Sequence, residues 1–280
     1  MISLDDLNRA SPDAFAAALD GVFEHAPWVP LIAAGARPFS TVTALHAELM
    51  DVVRRADADT QRRFLAGHPP LSAAAIAPGL TADSAAEQAT LGLAGLGGEA
   101  GRFASLSAAY AARHGFAFII CARRHTPGSV LRELERRCDA NEAAERAAAL
   151  GEVFYISRLR LVARVAGPGV PRTTGELTTR VMDGARGRPV EGLRIELFRD
   201  GAKLCEAVTG ADGRPAAALI VAEPLRMGGH ELRFHAGAYF EAGVDVIPVA
   251  FQVTEPEETL EVKLLLGPAQ YTIALESPDA

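Results

Sequence analysis

Two places in the first half of the chain hold side chains that could exchange a proton with a ligand or bind an anion. His68 lies in Gly67-His68-Pro69-Pro70, where proline fixes the backbone φ angle and restrains the turn. Histidine changes its charge near neutral pH, which makes His68 a candidate acid/base. Arg123 follows the apolar run 116–121 after one alanine, so a permanent cation stands at the end of a predicted buried segment.

A third place is the start of a predicted helix at residue 81. Thr81 is a suitable N-cap, and Ser84, Glu87 and Gln88 follow with the spacing i, i+3 and i+4. This spacing puts the three polar side chains on one face of the helix. Taken singly, each of the three places is more typical of structure: a turn residue, a capped and solvated helix start, or a boundary charge.

Helices must position these residues, because the sequence up to about residue 165 follows a helical period. Ser11-Pro12 predicts the start of a helix that buries Phe15 and Leu19. Further helices are predicted over 43–56, 81–96, 98–114, 129–138 and 141–165, with breaks at Pro27, 67–70, Pro78-Gly79 and Pro127-Gly128. The run 116–121 is either a buried extended segment or the start of a helix.

The period changes to two after a Gly/Pro-rich linker at 166–174. Asp200-Gly201 and Asp212-Gly213 predict tight turns between short strands, which include 193–198, 202–208, 231–234, 246–253 and 260–266. Closely spaced strands without helices between them indicate an antiparallel β-sandwich. We therefore predict a multidomain protein with an all-α domain at 1–165, a linker at 166–174 and an all-β domain at 175–280.

The composition excludes several classes of protein. The 280 residues carry a net charge of −7, opposite to the basic face of a nucleic-acid-binding protein. Cys121, Cys138 and Cys205 form no C-x-x-C pair, so neither a disulfide framework nor a zinc site is expected. The acidic start lacks the order of a signal peptide, and no apolar run approaches the roughly 20 residues of a membrane-spanning helix. We expect a reduced, cytoplasmic protein that binds neither nucleic acid nor membrane.

Six motifs occur in order within the first 165 residues. They are Phe23-Glu24-His25-Ala26-Pro27-Trp28-Val29, His68-Pro69, Leu80-Thr81-x-x-Ser84-x-x-Glu87-Gln88-x-x-x-Gly92-Leu93, Phe103-x-x-Leu106-x-x-x-Tyr110, Gly115-Phe116-x-Phe118-Ile119-Ile120-Cys121-Ala122-Arg123 and Leu159-Arg160-Leu161. Together they resemble the 2-oxo-4-hydroxy-4-carboxy-5-ureidoimidazoline (OHCU) decarboxylase family, which performs the last step of urate conversion to (S)-allantoin. Pro70 and Ser107 depart from the family pattern outside its main functional positions.

The resemblance implies roles for individual residues. His68 would be the catalytic acid/base, and Glu87 would hold His68 or bind the ureido N–H groups of the substrate. The implied substrate-binding residues are Pro69, Ser84, Ala85, Ala86, Gln88, Ile119, Ile120, Cys121, Ala122, Arg123 and Arg160. No metal or organic cofactor is expected, because the adjacent imine of the substrate can accept the electron pair that carbon dioxide leaves behind. The resulting enol must then be protonated on one face of the ring, which calls for a placed acid.

The second half resembles the 5-hydroxyisourate hydrolase family, which shares the transthyretin fold. The resemblance is carried by Leu177-Thr178-Thr179-x-Val181-x-Asp183, Gly187-x-Pro189, Thr209-x-x-Asp212-Gly213-Arg214, Glu231-Leu232-x-Phe234, Tyr239-Phe240 and Leu264-Leu265-Leu266-x-Pro268. The hydrolase site is degenerate, since Arg180 and Glu261 stand where the family has histidines, and of the usual set only Arg214 and Ser277 remain. Arginine cannot act as a base, and Glu261 beside a cation, with Arg180 the expected partner, would form an ion pair.

The function that we expect is therefore cofactor-free decarboxylation of OHCU to (S)-allantoin in urate catabolism. The C-terminal domain would be inactive and would serve the assembly of a homo-oligomer, a dimer or tetramer. One alternative is a bifunctional enzyme of the allantoin synthase type that also hydrolyses 5-hydroxyisourate. A second is a non-catalytic, transthyretin-like binding or assembly protein. A related purine-derived heterocycle also remains open as the substrate.

Overall fold

The computed structural model describes residues 1–71, 82–91, 93–220, 225–237, 239, 245–267 and 270–278. The chain divides into two units, the first formed by Met1–Arg123 and Val130–Thr173 and the second by Arg124–Ser129 and Thr174–Ala280. The second unit thus includes a short segment from within the helical half of the sequence. Among the sequence features used above, Pro78-Gly79, Leu80, Thr81, Gly92, Phe240 and Pro268 lie outside the described residues.

The first unit is built from helices. They are α1 (Leu4–Arg9), α2 (Pro12–Ala18), α3 (Trp28–Ala33), α4 (Val42–Arg55), α5 (Ala58–Ala66), α6 (Ala82–Leu91), α7 (Ala100–His114), α8 (Pro127–Cys138) and α9 (Glu142–Arg164), with α8 beginning in the second unit. The predicted start of α2 is confirmed: Ser11 caps the N–H of Ala14, and Pro12 occupies the first turn. Helices α1, α3 and α5 were not predicted from the sequence.

The buried faces of these helices form one apolar core that includes Phe15, Leu49, Leu65, Phe103 and Leu161. Residues 117–121 pass through this core as irregular backbone, so the alternative of a helix start is wrong for them. A 3₁₀ turn, Ala122–Arg124, follows. The core therefore brings an irregular segment against the helices that carry the predicted site.

The beginning of the predicted linker is ordered as part of the first unit. Strand β2 (Val165–Ala166) pairs in parallel with β1 (Ile2–Ser3). The carbonyl oxygen of Pro168 accepts a hydrogen bond from the peptide N–H of Val42 at 2.9 Å. A Cβ atom on Gly167 would lie 2.8 Å from Leu4 Cβ, so glycine is required for this close approach.

The second unit is a sandwich of two four-stranded sheets. Its strands are β3 (Leu177–Asp183), β4 (Arg188–Pro189), β5 (Arg194–Arg199), β6 (Ala202–Val208), β7 (Gly228–His235), β8 (Val246–Val253), β9 (Leu260–Leu266) and β10 (Tyr271–Glu276). The sheet orders are β10-β9-β3-β4 and β6-β5-β7-β8. One pairing, β3 with β9, is parallel, which differs from the antiparallel pairing that the strand spacing indicated.

Alternating side chains and a tight turn produce these sheets. Residues such as Val181, Ile195, Leu232 and Val262 point into one shared core between the sheets. The predicted Asp200-Gly201 turn joins β5 to β6, and both residues have positive φ values of 47° and 80°. Such values are typical of a two-residue hairpin. In the part of the chain that the structure describes, no helix is both long and apolar enough to cross a membrane.

Candidate active site

A small cavity in the first unit collects residues from four separate stretches of sequence. It is lined by His68, Pro69, Leu71, Ser84, Glu87, Gln88, Phe118, Ile119, Ile120, Ala122, Ile156 and Arg160. Nine of these were predicted as site residues, and Leu71, Phe118 and Ile156 were not. The cavity measures about 40 Å³, which is room for about one water molecule. A heterocyclic ligand needs more room than this volume among the described residues.

His68 is held immediately after helix α5. Its peptide N–H donates to the carbonyl oxygen of Leu65 at 3.0 Å, and its ring packs edge-on against Phe64 with centroids 5.2 Å apart. The imidazole is 9% exposed, and burial lowers its pKa from 6.5 to about 4. His68 is therefore neutral at physiological pH.

The tautomer of His68 follows from its hydrogen bond. Nδ1 lies 3.1 Å from the carbonyl oxygen of Phe64, and because a carbonyl can only accept, Nδ1 carries the proton. Nε2 then bears the lone pair. Within the described ranges, Nε2 makes no hydrogen bond. The imidazole is thus prepared to accept a proton at Nε2 before it can donate one.

Arg160, on helix α9, uses all of its N–H groups in hydrogen bonds to protein acceptors. Nε donates to Glu87 Oε1 at 2.8 Å, and Nη2 donates to Glu87 Oε2 at 2.8 Å and to Ser84 Oγ at 3.0 Å. Nη1 donates to Glu24 Oε2 at 2.7 Å and to the carbonyl oxygen of Gly21 at 3.3 Å. A guanidinium has five N–H groups, so binding a ligand anion would cost Arg160 one of these partners.

The same network decides where the helix α6 residues point. Both oxygens of Glu87 accept from Arg160, so this carboxylate does not hold His68, as one of its predicted roles required. Ser84 Oγ donates to Glu24 Oε2 at 3.0 Å. Gln88 Nε2 donates to the carbonyl oxygen of Pro70 at 3.3 Å. The three polar side chains of α6 therefore do line the same cavity, as predicted. Ser84 and Glu87 bind Arg160, however, and neither binds His68.

No role was predicted for Glu24, which contacts two residues of the cavity lining. Its carboxylate is buried and joins Arg160 and Ser84. A signal was present, because Glu24 stands between Phe23 and His25 in the first motif, next to an apolar position. A carboxylate in such a place must be paired when it is buried, but the sequence does not name the partner.

Four predicted substrate-binding residues do not line the cavity. Ala85 and Ala86 lie on α6 away from it, and Cys121 is buried, with its peptide N–H donating to Glu152 Oε2 at 2.9 Å. Arg123 was predicted to bind the substrate anion, but its side chain is exposed to solvent. The 3₁₀ turn that follows the buried segment directs this residue outward, so proximity in sequence did not put its charge in the cavity.

Two of the four predicted hydrolase-type residues of the second unit, Arg214 and Glu261, form an ion pair. Arg214 pairs with one oxygen of Glu261, and Lys263 Nζ lies 3.4 Å from the other. Glu261 therefore has Arg214 as its partner instead of Arg180, which lies on β3 in register with Lys263. Ser277 Oγ donates to Glu258 at 2.9 Å. These four predicted residues supply two cations, one paired carboxylate and one hydroxyl group, and none supplies an imidazole base.

Two family models match the chain. The model described as OHCU decarboxylase covers residues 8–162, and the model described as HIUase/Transthyretin family covers residues 177–274. The first match contains every residue that lines the cavity, and the second contains Arg180, Arg214 and Glu261.

Individual relatives match one or both halves. A 2-oxo-4-hydroxy-4-carboxy-5-ureidoimidazoline decarboxylase from Haloferax volcanii is 34% identical over 164 residues, which are 58% of this chain and 96% of that protein. 5-Hydroxyisourate hydrolase 2 from Rhizobium meliloti is 38% identical over 112 residues, 35% of this chain and 93% of that protein. A crystal structure of (S)-allantoin synthase matches 99% of this chain and 100% of its own, with 26% identity and a TM-score of 0.56.

Proposed function

Because the chain belongs to the OHCU decarboxylase family through its first half and to the HIUase/Transthyretin family through its second, we propose that its first unit decarboxylates OHCU to (S)-allantoin in urate catabolism. The observation that carries the proposal is His68: a buried, neutral imidazole with its Nε2 lone pair available at a cavity. Around it lie hydrogen-bonding groups of Ser84, Glu87 and Gln88 that suit a ureido-substituted ring.

The chemistry of the reaction agrees with this state of His68. Loss of carbon dioxide moves an electron pair into the adjacent imine of the substrate and gives an enol. Nε2 accepts the proton of the substrate's 4-hydroxyl group as the reaction begins, and the resulting imidazolium then donates this proton to one face of the enol. The imine nitrogen, which receives the electron pair left by carbon dioxide, takes its proton from solvent. A proton delivered from one side yields one enantiomer. This chain needs no cofactor for these steps, because the substrate provides its own electron sink.

Arg160 acts in this scheme as a positioning residue. Its five donors hold Glu87, Ser84 and Glu24, so its main effect is to fix the acceptor oxygens that meet the substrate. The peptide N–H groups of Ile119 and Ile120 make no hydrogen bond among the described residues, and they are the donors that we assign to the substrate carboxylate. Arg123 has no part in this arrangement.

For the second unit we propose an assembly role without hydrolase activity. Hydrolysis needs a base that activates water, and Glu261 is held by Arg214 and Lys263. Tyr271, Ile273 and Leu275 are exposed apolar side chains on the edge strand β10, which supports a homo-oligomer. We further propose a cytoplasmic enzyme that acts on a small purine-derived molecule.

A bifunctional enzyme is the second candidate. Arg214 and Ser277 remain at positions of the hydrolase pattern, and the similarity to (S)-allantoin synthase extends over both units. In that case the same chain would form OHCU from 5-hydroxyisourate and then decarboxylate it.

One experiment tests both candidates. The full chain is mixed separately with freshly generated 5-hydroxyisourate and with OHCU, and the circular dichroism of (S)-allantoin is followed. We expect a rapid signal from OHCU and no acceleration of 5-hydroxyisourate loss above the rate without enzyme. Racemic allantoin formed from OHCU at the uncatalysed rate would contradict the proposed function.

A further inference from the structure

Buried side chains outside the cavity bind the irregular wall formed by residues 118–122. The carbonyl oxygen of Ile119 accepts a hydrogen bond from Arg137 Nη1 at 2.9 Å. The guanidinium of Arg137 also lies 4.6 Å from the centroid of the Phe118 ring. Backbone outside helices and sheets depends on such contacts for its conformation. Arg137 is thus in a position to set the geometry of this wall.

Arg137 belongs to a buried cluster with Glu145 and Tyr110. Arg137 is 1% exposed and the other two residues are 0% exposed. Arg137 Nη2 donates to Glu145 Oε1 at 2.5 Å, Nε donates to it at 3.0 Å, and the Tyr110 hydroxyl donates to the same oxygen. The desolvation of two buried charges roughly cancels their attraction, and an apolar cluster of similar volume is often as stable. An apolar cluster could not donate a hydrogen bond to the Ile119 carbonyl oxygen, as Arg137 does.

The peptide bond between Ile119 and Ile120 connects this hydrogen bond with the cavity. In a trans peptide the carbonyl and the N–H point in opposite directions. Because the Ile119 carbonyl is held toward Arg137, the Ile120 N–H points away from Arg137. Ile120 lines the cavity, and Arg137 does not.

We propose that Arg137 is a positioning residue of the decarboxylase, which aims the Ile120 N–H at the carboxylate of the substrate, and that Glu145 and Tyr110 hold Arg137 in place. This inference rests on the proposed function, and it adds three residues that do not touch the substrate. A hydrogen bond to a charged group corresponds to about 10- to 100-fold in affinity. Loss of the cluster should therefore appear mainly in the KM for OHCU.

The test replaces the whole cluster in the full chain with apolar residues, as Arg137→Met/Glu145→Met/Tyr110→Phe. No buried charge is then left unpaired, so the variant keeps its fold, as circular dichroism would verify. We expect KM to rise by about 10- to 100-fold. If the triple variant does not fold, Arg137→Lys is used, since its single ammonium cannot reach both Glu145 and Ile119 as the guanidinium does, and the same rise is expected.

The control is Ser157→Ala, which removes a buried hydrogen bond to His46 from helix α9 at a residue outside the cavity lining. A loss of folded protein alone lowers the apparent kcat and leaves KM unchanged, and this is the result expected for the control. Unchanged KM in the cluster variant would overturn the inference while the proposed function stands. Absence of OHCU turnover in the unsubstituted chain would overturn both.

Discussion

Both units pair an arginine with a glutamate where chemistry was predicted, but the two pairs leave different groups available. In the first unit Arg160 takes both oxygens of Glu87, and His68 keeps its Nε2 lone pair at the same cavity. In the second unit Glu261 is bound by Arg214, and no histidine stands beside it among the predicted residues. Similar ion pairs therefore accompany a site with a base in one unit and a site without one in the other.

The comparison separates the roles of charge and of proton transfer. A permanent cation orients a carboxylate, but it cannot accept or release a proton during a reaction. Desolvation of His68 does the opposite: it removes the charge of a titratable group and makes its lone pair available. The two candidate sites therefore differ mainly in whether they contain a neutral imidazole, and less in how many charged side chains they contain.

The largest effect is expected when the imidazole is removed. His68→Ala should lower kcat/KM for OHCU by about 10²–10⁴-fold, because the proton acceptor and donor is lost. The rate of (S)-allantoin formation, followed by circular dichroism, measures it. The matched control is His235→Gln in the second unit, where the histidine pairs with Glu196 on the sandwich. If His68→Ala retained activity similar to the control, His68 would not be the acid/base.

The two ion pairs themselves offer the next test. Arg160→Met leaves the buried carboxylate of Glu24 without its cation and should lower the unfolding free energy of the first unit by about 3–5 kcal/mol. The same substitution at Arg214, whose side chain is 38% exposed, should cost at most about 1 kcal/mol.

Urea unfolding checks the pair of variants. Trp28, the single tryptophan, reports on the first unit by fluorescence, and far-ultraviolet circular dichroism reports on both units. Equal losses for Arg160→Met and Arg214→Met would show that burial does not distinguish the two pairs, and the comparison above would fail.

Much of the fold was predictable because periodicity records which face of an element is buried. The boundaries of α4, the Asp200-Gly201 turn and the change of period after residue 165 are examples. Short helices such as α3 and α5 were missed, since they span too few turns to show a period. The parallel pairing of β3 with β9 depends on which strands meet in space, and no local pattern records it.

Most residues that line the candidate cavity were predictable from the sequence, but the hydrogen bonds between them were not. The motifs include His68, Glu87 and Arg160, and all three line one cavity. The partner of Glu87 was not predictable from the sequence. Arg160 is 73 positions away, and both Arg160 and His68 are chemically suitable partners for a carboxylate. Arg123 shows the converse case, since a residue close to a buried segment can still point to solvent.

A smaller gain of function is expected from rebuilding the second unit. In a His68→Ala background, the full chain should not accelerate the loss of 5-hydroxyisourate absorbance. Arg180→His with Glu261→His, and with Tyr-Arg-Gly-Ser in place of residues 274–277, frees Arg214 and supplies two bases. We expect hydrolysis at least about tenfold above the parent, well short of an optimised acid/base pair.

This test uses the full chain because Arg124–Ser129 belongs to the second unit. Arg124 is buried and pairs with Glu257 at 2.8 Å, so a fragment of residues 172–280 would lose that partner. Turnover of 5-hydroxyisourate by the His68→Ala parent itself would support the bifunctional candidate instead.

The smallest expected change is a displacement of the acid limb of the pH profile. Protonation of Nε2 removes the base, so kcat/KM falls as the pH drops through the pKa of His68 in the free enzyme. Burial lowers this pKa from 6.5 to about 4, with the Phe64 carbonyl and Glu24 opposing the shift and Arg160 adding to it. The profile should stay level from pH 8 to below 6 and decline only near pH 4.

Protonation of His68 also lowers the unfolding free energy of the first unit. A second buried histidine, His46, allows this effect to be separated from the effect on kcat/KM. Because the folded pKa lies below the unfolded value of 6.5, stability is complete above pH 6.5 and is lost as the pH falls toward 4. His46, whose pKa burial also lowers to about 4, adds to this loss. His46→Gln should therefore reduce the acid sensitivity of unfolding and leave the acid limb of kcat/KM in place. A limb near pH 6.5, or one that moves in His46→Gln, would show that His68 is not the base that titrates.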